Sequence, residues 1–477
     1  MGSSAIRFGT DGWRAVIGDD YTVANVRLLT QAVAQHWLTA QPEAAERGLV
    51  VAYDTRFNAE MFAAAAAEVL VGNGIPVALA DVPTPTPVFA HAIVNRRAGG
   101  GITLTASHNP FDYQGYKVRS GYGGATPPEE LAEIEEIVST LHPRDVRSLS
   151  LAEAQSQGLH EQFDPAPAYL AHISKLLDLE GLRAWDGTLV VDAMYGAGCD
   201  WFSNILQGGS LRVFDLHNRR NPMFPNMHNP EPIPGNLQDL FSLVPRMGAR
   251  LGLATDGDAD RLGACDEKGE FLNQLTVMSL LALYLLEVRG QRGPIVKTFT
   301  SSSMLNRLGE HFNVPVHETP VGFKFVAPKM LETDALLGGE ESGGYAFRGH
   351  VPERDGILAG LFLLDYVVQS GRAPTDLVEH LFSLVGPHCY DRLDLDFPQE
   401  ERENITARMQ AHVPTKIANG EVVARRTEDG FHYTLRDGAW VCVRFSGTEP
   451  IMRIYAEADS PERVQALIQV ARALAGV

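Results

Sequence analysis

Three aspartates on alternate positions, in "DGDADR" at residues 256–261, are the strongest chemical signal in this chain. Asp256, Asp258 and Asp260 put three hard oxygen donors into one short loop, which suits Mg2+. A calcium-binding EF-hand also carries acids at this spacing, and Glu267 stands at its twelfth position. That loop demands glycine at its sixth position, however, and Arg261 stands there. The preceding "LGLAT" is strand-like rather than helical. The bland alternative is a solvated acidic turn. Arg261 could simply neutralise its neighbours, or face phosphoryl oxygens that the metal also contacts.

A second stretch, "TASHNP" at residues 105–110, closes an apolar run on Ser107 and His108. A capped turn before Pro110 would explain it without chemistry. A Ser–His dyad is not expected, because neighbours in an extended chain point to opposite sides, and no GxSxG nucleophile motif occurs elsewhere. The remaining chemical option is a serine that carries a phosphoryl group. A phosphoserine supplies acceptor oxygens and roughly −1.5 to −2 charge, and it would complete the shell of a cation held by the aspartates.

Two further loops fit the same theme. "GGEESGG" (338–344) sets Glu340 and Ser342 two residues apart, facing the same way if the loop is extended. A carboxylate and a hydroxyl together suit vicinal sugar hydroxyls; alone the stretch is a flexible acidic loop. "RFSGTEP" (444–450) offers Arg444, Ser446 and Thr448 with backbone N–H groups around Gly447, a phosphate cradle or a plain turn. Arg14 in "TDGWR", Lys117 in "GYKV" and Lys324 in "VGFK" are ordinary cations singly. Together they would supply the local positive field that a sugar phosphate needs.

The elements that position these loops are read from patterning. With 477 residues, 45% of them hydrophobic and 21% charged, roughly three or four domains are expected at about 100–200 residues each. Short β-branched runs alternate with helical stretches, which predicts parallel sheets with helices on both faces. "NAEMFAAAAAEVLVGNG" is one such helix, with Asn58 as a candidate N-cap. The tail, with "YDRLDLDF", "FHYTLRDGAWVCVRFSG" and "IMRIYAEA", predicts antiparallel strands with a turn at "RDGA", then a helix capped by Ser460. The expected division is an α/β domain I over 1–155, α/β domains II (156–267) and III (268–385), and a C-terminal α+β domain IV over 386–477, around a central cleft. Each candidate loop lies at a strand end, where open α/β sheets bind ligands.

Composition also excludes. A net charge of −19 argues against a nucleic-acid or membrane-surface binder. The four widely spaced cysteines form no CxxC pair and read as free thiols of a reducing compartment. No signal peptide is evident, and the longest apolar runs fall short of the ~20 residues that span a bilayer. A cytoplasmic protein acting on small molecules is expected; oligomeric state is not legible.

Taken in order, "FGTDGWR", "TASHNP", "DGDADR", "GGEESGG" and "RFSGTEP" resemble the α-D-phosphohexomutase family, which includes phosphoglucomutase, phosphomannomutase and phosphoglucosamine mutase. The resemblance spans nearly the whole chain. It implies three similar α/β domains and a smaller C-terminal domain that closes over the substrate. It implies a phosphoserine at Ser107, and Mg2+ held by Asp256, Asp258, Asp260 and that phosphoserine. Sugar contacts from Glu340 and Ser342 are implied, as are phosphate contacts from Arg444, Ser446, Gly447 and Thr448. Arg14, Lys117 and Arg261 match positions near the phosphoserine. "TPVGFKF" is similar to the Gly-aromatic-Lys of phosphoglucomutases, where the lysine is a candidate proton shuttle. Phe323 and Gly344 stand where the dual phosphomannomutase type often has histidine, and "GEESGG" departs from the "GEQSGH"-like loop of phosphoglucosamine mutases. "GTDGWR" and "SGTEP" nevertheless resemble that last group. The resulting expectation is interconversion of glucose 1-phosphate and glucose 6-phosphate through the phosphoserine. Glucose 1,6-bisphosphate would be intermediate and activator, and Lys324 or His108 the general base. The alternatives are the mannose or glucosamine phosphate reaction, and then a metal-dependent phosphohydrolase.

Overall fold

The computed structural model describes residues 6–9, 11–445 and 451–477. Three of its four sheets share one plan. In the first, strand Leu49–Tyr53 lies between Val77–Ala80 and Gly100–Leu104, all parallel, and Tyr113–Ser120 then returns antiparallel beside Gly100–Leu104. The second repeats this order with Thr188–Asp192, Arg212–Leu216, Leu251–Thr255 and the returning Leu262–Cys265. The third does so with Ile295–Thr298, Val316–Thr319, Leu337–Gly339 and the returning Tyr345–Phe347. Central strands such as "LVVAY" and "TLVVD" are buried along their whole length, as parallel strands covered on both faces must be.

This shared plan gives the three loops one structural address. "TASHNP", "DGDADR" and "EESGG" each join the last parallel strand to the antiparallel strand that follows it. Letter-by-letter comparison shows no repeat, because only topology recurs.

The first sheet carries two edge additions, Trp13–Val16 and His160–Phe163. The latter pairs in parallel with Val77–Ala80, so this sheet draws on residues beyond the expected boundary at 155. The fourth sheet is antiparallel throughout, with helix Pro461–Ala475 packed on it and helix Arg402–Ala411 packed against that helix. Its "RDGA" turn joins Phe431–Leu435 to Trp440–Phe445, with Leu435 N–H donating to Ala439 O at 2.8 Å. Neither Asn58 nor Ser460 makes a side-chain cap bond; Asn58 precedes its helix in a left-handed conformation.

The apolar interior is divided unevenly. The first and fourth units each have a core of their own, whereas the second and third share one continuous core. Helix Gly356–Ser370, buried from Gly356 through Val367, runs through that shared core. Its neighbours include Tyr284, Phe347 and Phe202. All four cysteines are free thiols. Among the described residues, no helix is long and apolar enough to cross a membrane.

Candidate active site

Ser107 is buried and takes a left-handed φ of +51°. Such a conformation costs a non-glycine residue of order 1–3 kcal/mol and persists only where the surroundings impose it. Its N–H donates to Thr105 Oγ1 at 2.9 Å, and its hydroxyl donates to Asp256 Oδ2 at 2.9 Å. The serine loop and the acidic loop therefore meet, 149 residues apart in sequence. Glycine makes the meeting possible: a Cβ on Gly257 would lie 2.3 Å from the Ser107 carbonyl oxygen. The same left-handed turn overturns one expectation. His108 Nδ1 lies 3.3 Å from Ser107 Oγ, because the backbone is not extended there and neighbours need not diverge.

The acidic loop is held from several directions. Asp256 Oδ1 accepts from the backbone N–H of Asp260 and Arg261 at 3.0 and 3.1 Å. Asp258 Oδ2 accepts from Thr86 Oγ1 at 2.6 Å and from Lys117 Nζ at 2.9 Å. Asp260 Oδ2 lies 2.7 Å from Arg354 Nη2. The three carboxylates are fully buried, and one oxygen of each lies within 4.8 Å of the others. Burial, reinforced by Asp258 and Asp260, pushes Asp256 well above the usual carboxylate range. Burial also raises Asp260, against the pull of Arg354. At Asp258 the burial cost is overcome by Lys117, Thr86 and Arg354, so its carboxyl is held below that range. Among the described residues, Asp258 Oδ1 and Asp260 Oδ1 are buried without a hydrogen-bond partner. Hard, crowded and partly unpaired oxygens of this kind fit a divalent cation.

Lys117, Arg14 and Arg261 each contact residues of, or next to, the serine and acidic loops. Lys117 is buried between Asp258 and Asp11, 2.8 Å from Asp11 Oδ2; burial opposes its charge, but Asp11, Asp258 and Asp260 raise its pKa regardless. Arg14 donates to Asn109 Oδ1, and Arg261 pairs with Glu231 at 3.1 Å. His108 is driven well below its ordinary pKa, first by burial and then by Arg261, Arg14 and Lys117.

The sugar-loop residues are placed differently from expectation. Residues 340–343 form a tight turn rather than an extended loop, with Gly343 N–H donating to Glu340 O at 3.2 Å. Strand alternation therefore gives Glu340 and Ser342 no common direction. Ser342 is half-buried, while Glu340 is buried. The Glu340 Oε1 accepts from Gly322 N–H at 3.0 Å and its Oε2 lies 3.7 Å from Arg354 Nη1. Burial lifts its carboxyl to about 7, with Arg354 acting in the opposite sense. This loop meets the end of the acidic loop, where Arg261 bridges Gly344 and the next residue, Leu262, donates its N–H to Gly343 O at 2.9 Å.

Lys324 lies on the first turn of helix Phe323–Thr333 with its ammonium over the Phe325 ring, 5.3 Å from the centroid. It borders a cavity of about 210 Å3 that Asp11, Gly12, Arg119, Thr126 and Glu135 also line. Among the described residues, no contact joins it to Ser107. Arg444 Nε contacts Asp429 Oδ1 at 3.1 Å, and Asp429 Oδ2 accepts from Val321 N–H at 3.1 Å. That carboxylate ties the fourth unit to the segment that carries Lys324. Ser446, Gly447 and Thr448 lie outside the described residues.

Sequence reasoning missed Arg354, which reaches Asp260, Asp11 and Glu340 together. It also missed Asp11, which pairs with Lys117, Arg119 and Arg354. The available signal was "ERD" immediately before a helix too apolar to be exposed: charges abutting a buried helix need buried partners.

Comparison with known proteins matches this architecture unit by unit. Models of phosphoglucomutase/phosphomannomutase α/β/α domains I, II and III match residues 5–145, 167–269 and 274–385, and the C-terminal domain model of the same family matches 400–473. The chain belongs to the phosphoglucomutase/phosphomannomutase family, a group of intramolecular phosphotransferases. It is 30% identical to a phosphoglucomutase/phosphomannomutase of Thermococcus kodakarensis over 97% of both chains. A protein of Methanothermobacter thermautotrophicus, provisionally named phosphoglucosamine mutase, is 32% identical over 96% of this chain and 95% of its own. A solved structure from Thermus thermophilus, provisionally assigned as a phosphomannomutase, superposes with a TM-score of 0.85 at 36% identity over 99% of both chains.

Proposed function

We propose that the protein is a phosphohexomutase in which Ser107 carries the transferred phosphoryl group. The carrying observation is the contact of Ser107 Oγ with Asp256 inside a buried three-aspartate loop. Phospho-Ser107 donates its phosphoryl group to a free hydroxyl of a hexose monophosphate, giving a 1,6-bisphosphate. The bisphosphate turns over in the cleft and returns its other phosphoryl group to the serine. Mg2+ bound by Asp256, Asp258, Asp260 and the phosphoserine would offset charge on the transferring group. Lys117, Arg14 and Arg261 hold the phosphoryl oxygens by charge and position. His108, kept neutral by burial and nearby cations, is placed to accept the proton of the attacking hydroxyl. Lys324 stands further off and suits the sugar or its distal phosphate better. Glu340 and Ser342 contact sugar hydroxyls, and Arg444 with Ser446, Gly447 and Thr448 holds the phosphate that does not react.

Lys324 in "VGFK" favoured glucose phosphate, but the names of the relatives favour a mannose or glucosamine phosphate, or a dual preference. The test is incubation with Mg2+, a trace of hexose 1,6-bisphosphate and each 1-phosphate in turn, of glucose, mannose and glucosamine. Conversion to the 6-phosphate is expected, fastest for mannose or glucosamine, and Ser107→Ala is expected to abolish it. Release of inorganic phosphate without isomerisation would instead make the protein a phosphohydrolase.

A further inference from the structure

Arg56 has no side-chain contact with the reacting hydroxyl, yet its side chain is wholly buried against the serine loop. Its Nη2 donates to the carbonyl oxygens of Ser107 at 2.7 Å and Asn109 at 2.6 Å. Its Nη1 donates to those of Pro110 at 2.7 Å and Tyr113 at 3.0 Å. A single guanidinium thus gathers four carbonyls from one seven-residue stretch. Four carbonyl dipoles pointed at one spot repel one another unless a cation lies between them. A planar fork of five N–H donors satisfies all four, whereas a lysine ammonium has three donors on a point charge.

The clamp is itself clamped. Arg56 Nε lies 3.2 Å from Asp54 Oδ2, and the Arg56 backbone N–H donates to Asp54 Oδ1 at 2.9 Å. The Phe224 ring closes one face, its centroid 5.1 Å from the guanidinium carbon. Arg220, paired with Glu60, donates to the carbonyl oxygens of Thr55 and Arg56 at 3.0 and 3.1 Å. Thr55 Oγ1 donates to Tyr195 O at 2.9 Å, which anchors this corner to the unit that supplies the aspartates.

We infer that Arg56 is a positioning residue for phosphoryl transfer: by gathering the carbonyls of Ser107, Asn109, Pro110 and Tyr113 it imposes the left-handed turn that aims Ser107 Oγ at the acidic loop. This role rests on the reading of Ser107 as the phosphoryl carrier. The test uses the full-length protein, with glucose 1,6-bisphosphate as the phosphate donor and Arg56→Lys as the variant. Intact mass follows the loading of phosphate onto Ser107, and steady-state kinetics separate kcat from KM. A charge that stays while the fork is lost leaves a folded protein with KM near native. Its kcat is expected to fall by about 100-fold, the scale of a ~1 Å misplacement of a reacting group, with slowed loading in parallel. Should Arg56→Lys fail to fold, Asp54→Asn keeps the guanidinium but loosens it, and a smaller kcat loss with slowed loading at unchanged KM is expected. A folded variant with native kcat and loading, or a loss confined to KM or to thermal stability, overturns the role. If the native protein takes no phosphate on Ser107, the carrier reading fails instead, and the two failures are told apart by mass alone.

Discussion

Two adjacent residues serve two very different joints. Arg354 enters a charged cluster with Asp260, Asp11 and Glu340, which Lys117, Arg119, Asp258 and Glu353 extend. Asp355 enters a sparsely charged one, its carboxylate set among a tyrosine and histidines: Tyr169 OH donates to its Oδ2 at 2.7 Å, and His350 Nε2 lies 2.9 Å from the same oxygen. His350 Nδ1 in turn meets His172 Nε2 at 3.0 Å, and the His172 ring packs on His91, 4.8 Å between centroids. Each joint ties elements of the first sheet's unit to elements of the third. Only the charged one includes the candidate site residues. Burying charges costs several kcal/mol per ion even after relaxation, so a buried ionic network is weak evidence of stabilisation. A hydrogen-bonded cluster with fewer charged groups does the mechanical task at lower cost. Strength alone therefore does not account for the charged joint, and a chemical role for it is the expectation to test.

Removing Arg354 breaks this comparison most directly. Arg354→Met leaves Asp260, Asp11 and Glu340 short of a partner, and stripping one member from a buried ion pair costs about 3–5 kcal/mol. We expect a large fall in denaturation midpoint together with loss of isomerisation. Arg354→Lys, unable to reach all three carboxylates, should be intermediate. Chemical unfolding and the isomerisation assay check both. An Arg354→Met protein of native stability and turnover would make the charged joint dispensable.

Arg354 also shows where sequence reading runs out. The strand-end loops were legible because polar residues interrupt apolar runs at a fixed topological point, and the family resemblance ordered them. The alternation of strands and helices was legible for the same reason, as was the antiparallel tail with its Gly438 turn. What could not be read was long-range. Ser107 and His108 were expected to diverge, and they approach because tertiary contacts impose a positive φ that local propensity disfavours. Glu340 and Ser342 would share a direction only in an extended loop, and the Gly343 N–H to Glu340 O bond makes it a turn. Arg354, His91, His172 and His350 sit in no motif, and Asp11 stands inside "FGTDGWR" beside the more conspicuous Arg14; their importance comes from partners far along the chain.

A second experiment sharpens the contrast from the sparsely charged side. Burial, then His172 and His350, brings the pKa of His91 from 6.5 down to about 4. Between those values the unfolded chain binds a proton that the folded chain refuses. Stability present above pH 6.5 is therefore lost as pH falls toward 4. His91→Leu removes this term, so its unfolding midpoint should fall less steeply with acid than that of the native protein. The effect should be smaller than for Arg354, because His91 is uncharged near neutral pH and no ion pair is broken. Parallel midpoint-versus-pH curves would show that the sparsely charged joint is not acid-sensitive at this residue.

The smallest effect has the opposite sign and belongs to the charged joint. Burial raises Glu340 from 4.5 to about 7, with Arg354 and the Gly322 N–H partly offsetting the cost of its charge. Between those values the folded protein retains a proton that the unfolded chain has released. Stability is thus lost, not gained, as pH rises from 4.5 toward 7. Glu340→Gln cannot ionise and keeps an oxygen for the Gly322 N–H, so near the acid end of that window it should match the native protein. Toward pH 7 it should become the more stable of the two, although the lost attraction to Arg354 limits the gain. Unfolding midpoints of the two proteins across this window check the sign. If Glu340→Gln instead becomes progressively less stable as pH rises, Arg354 more than offsets the burial of an ionised Glu340. The charged joint would then stabilise the fold at that residue, and the line drawn between a joint kept for chemistry and a joint kept for strength would have to be moved.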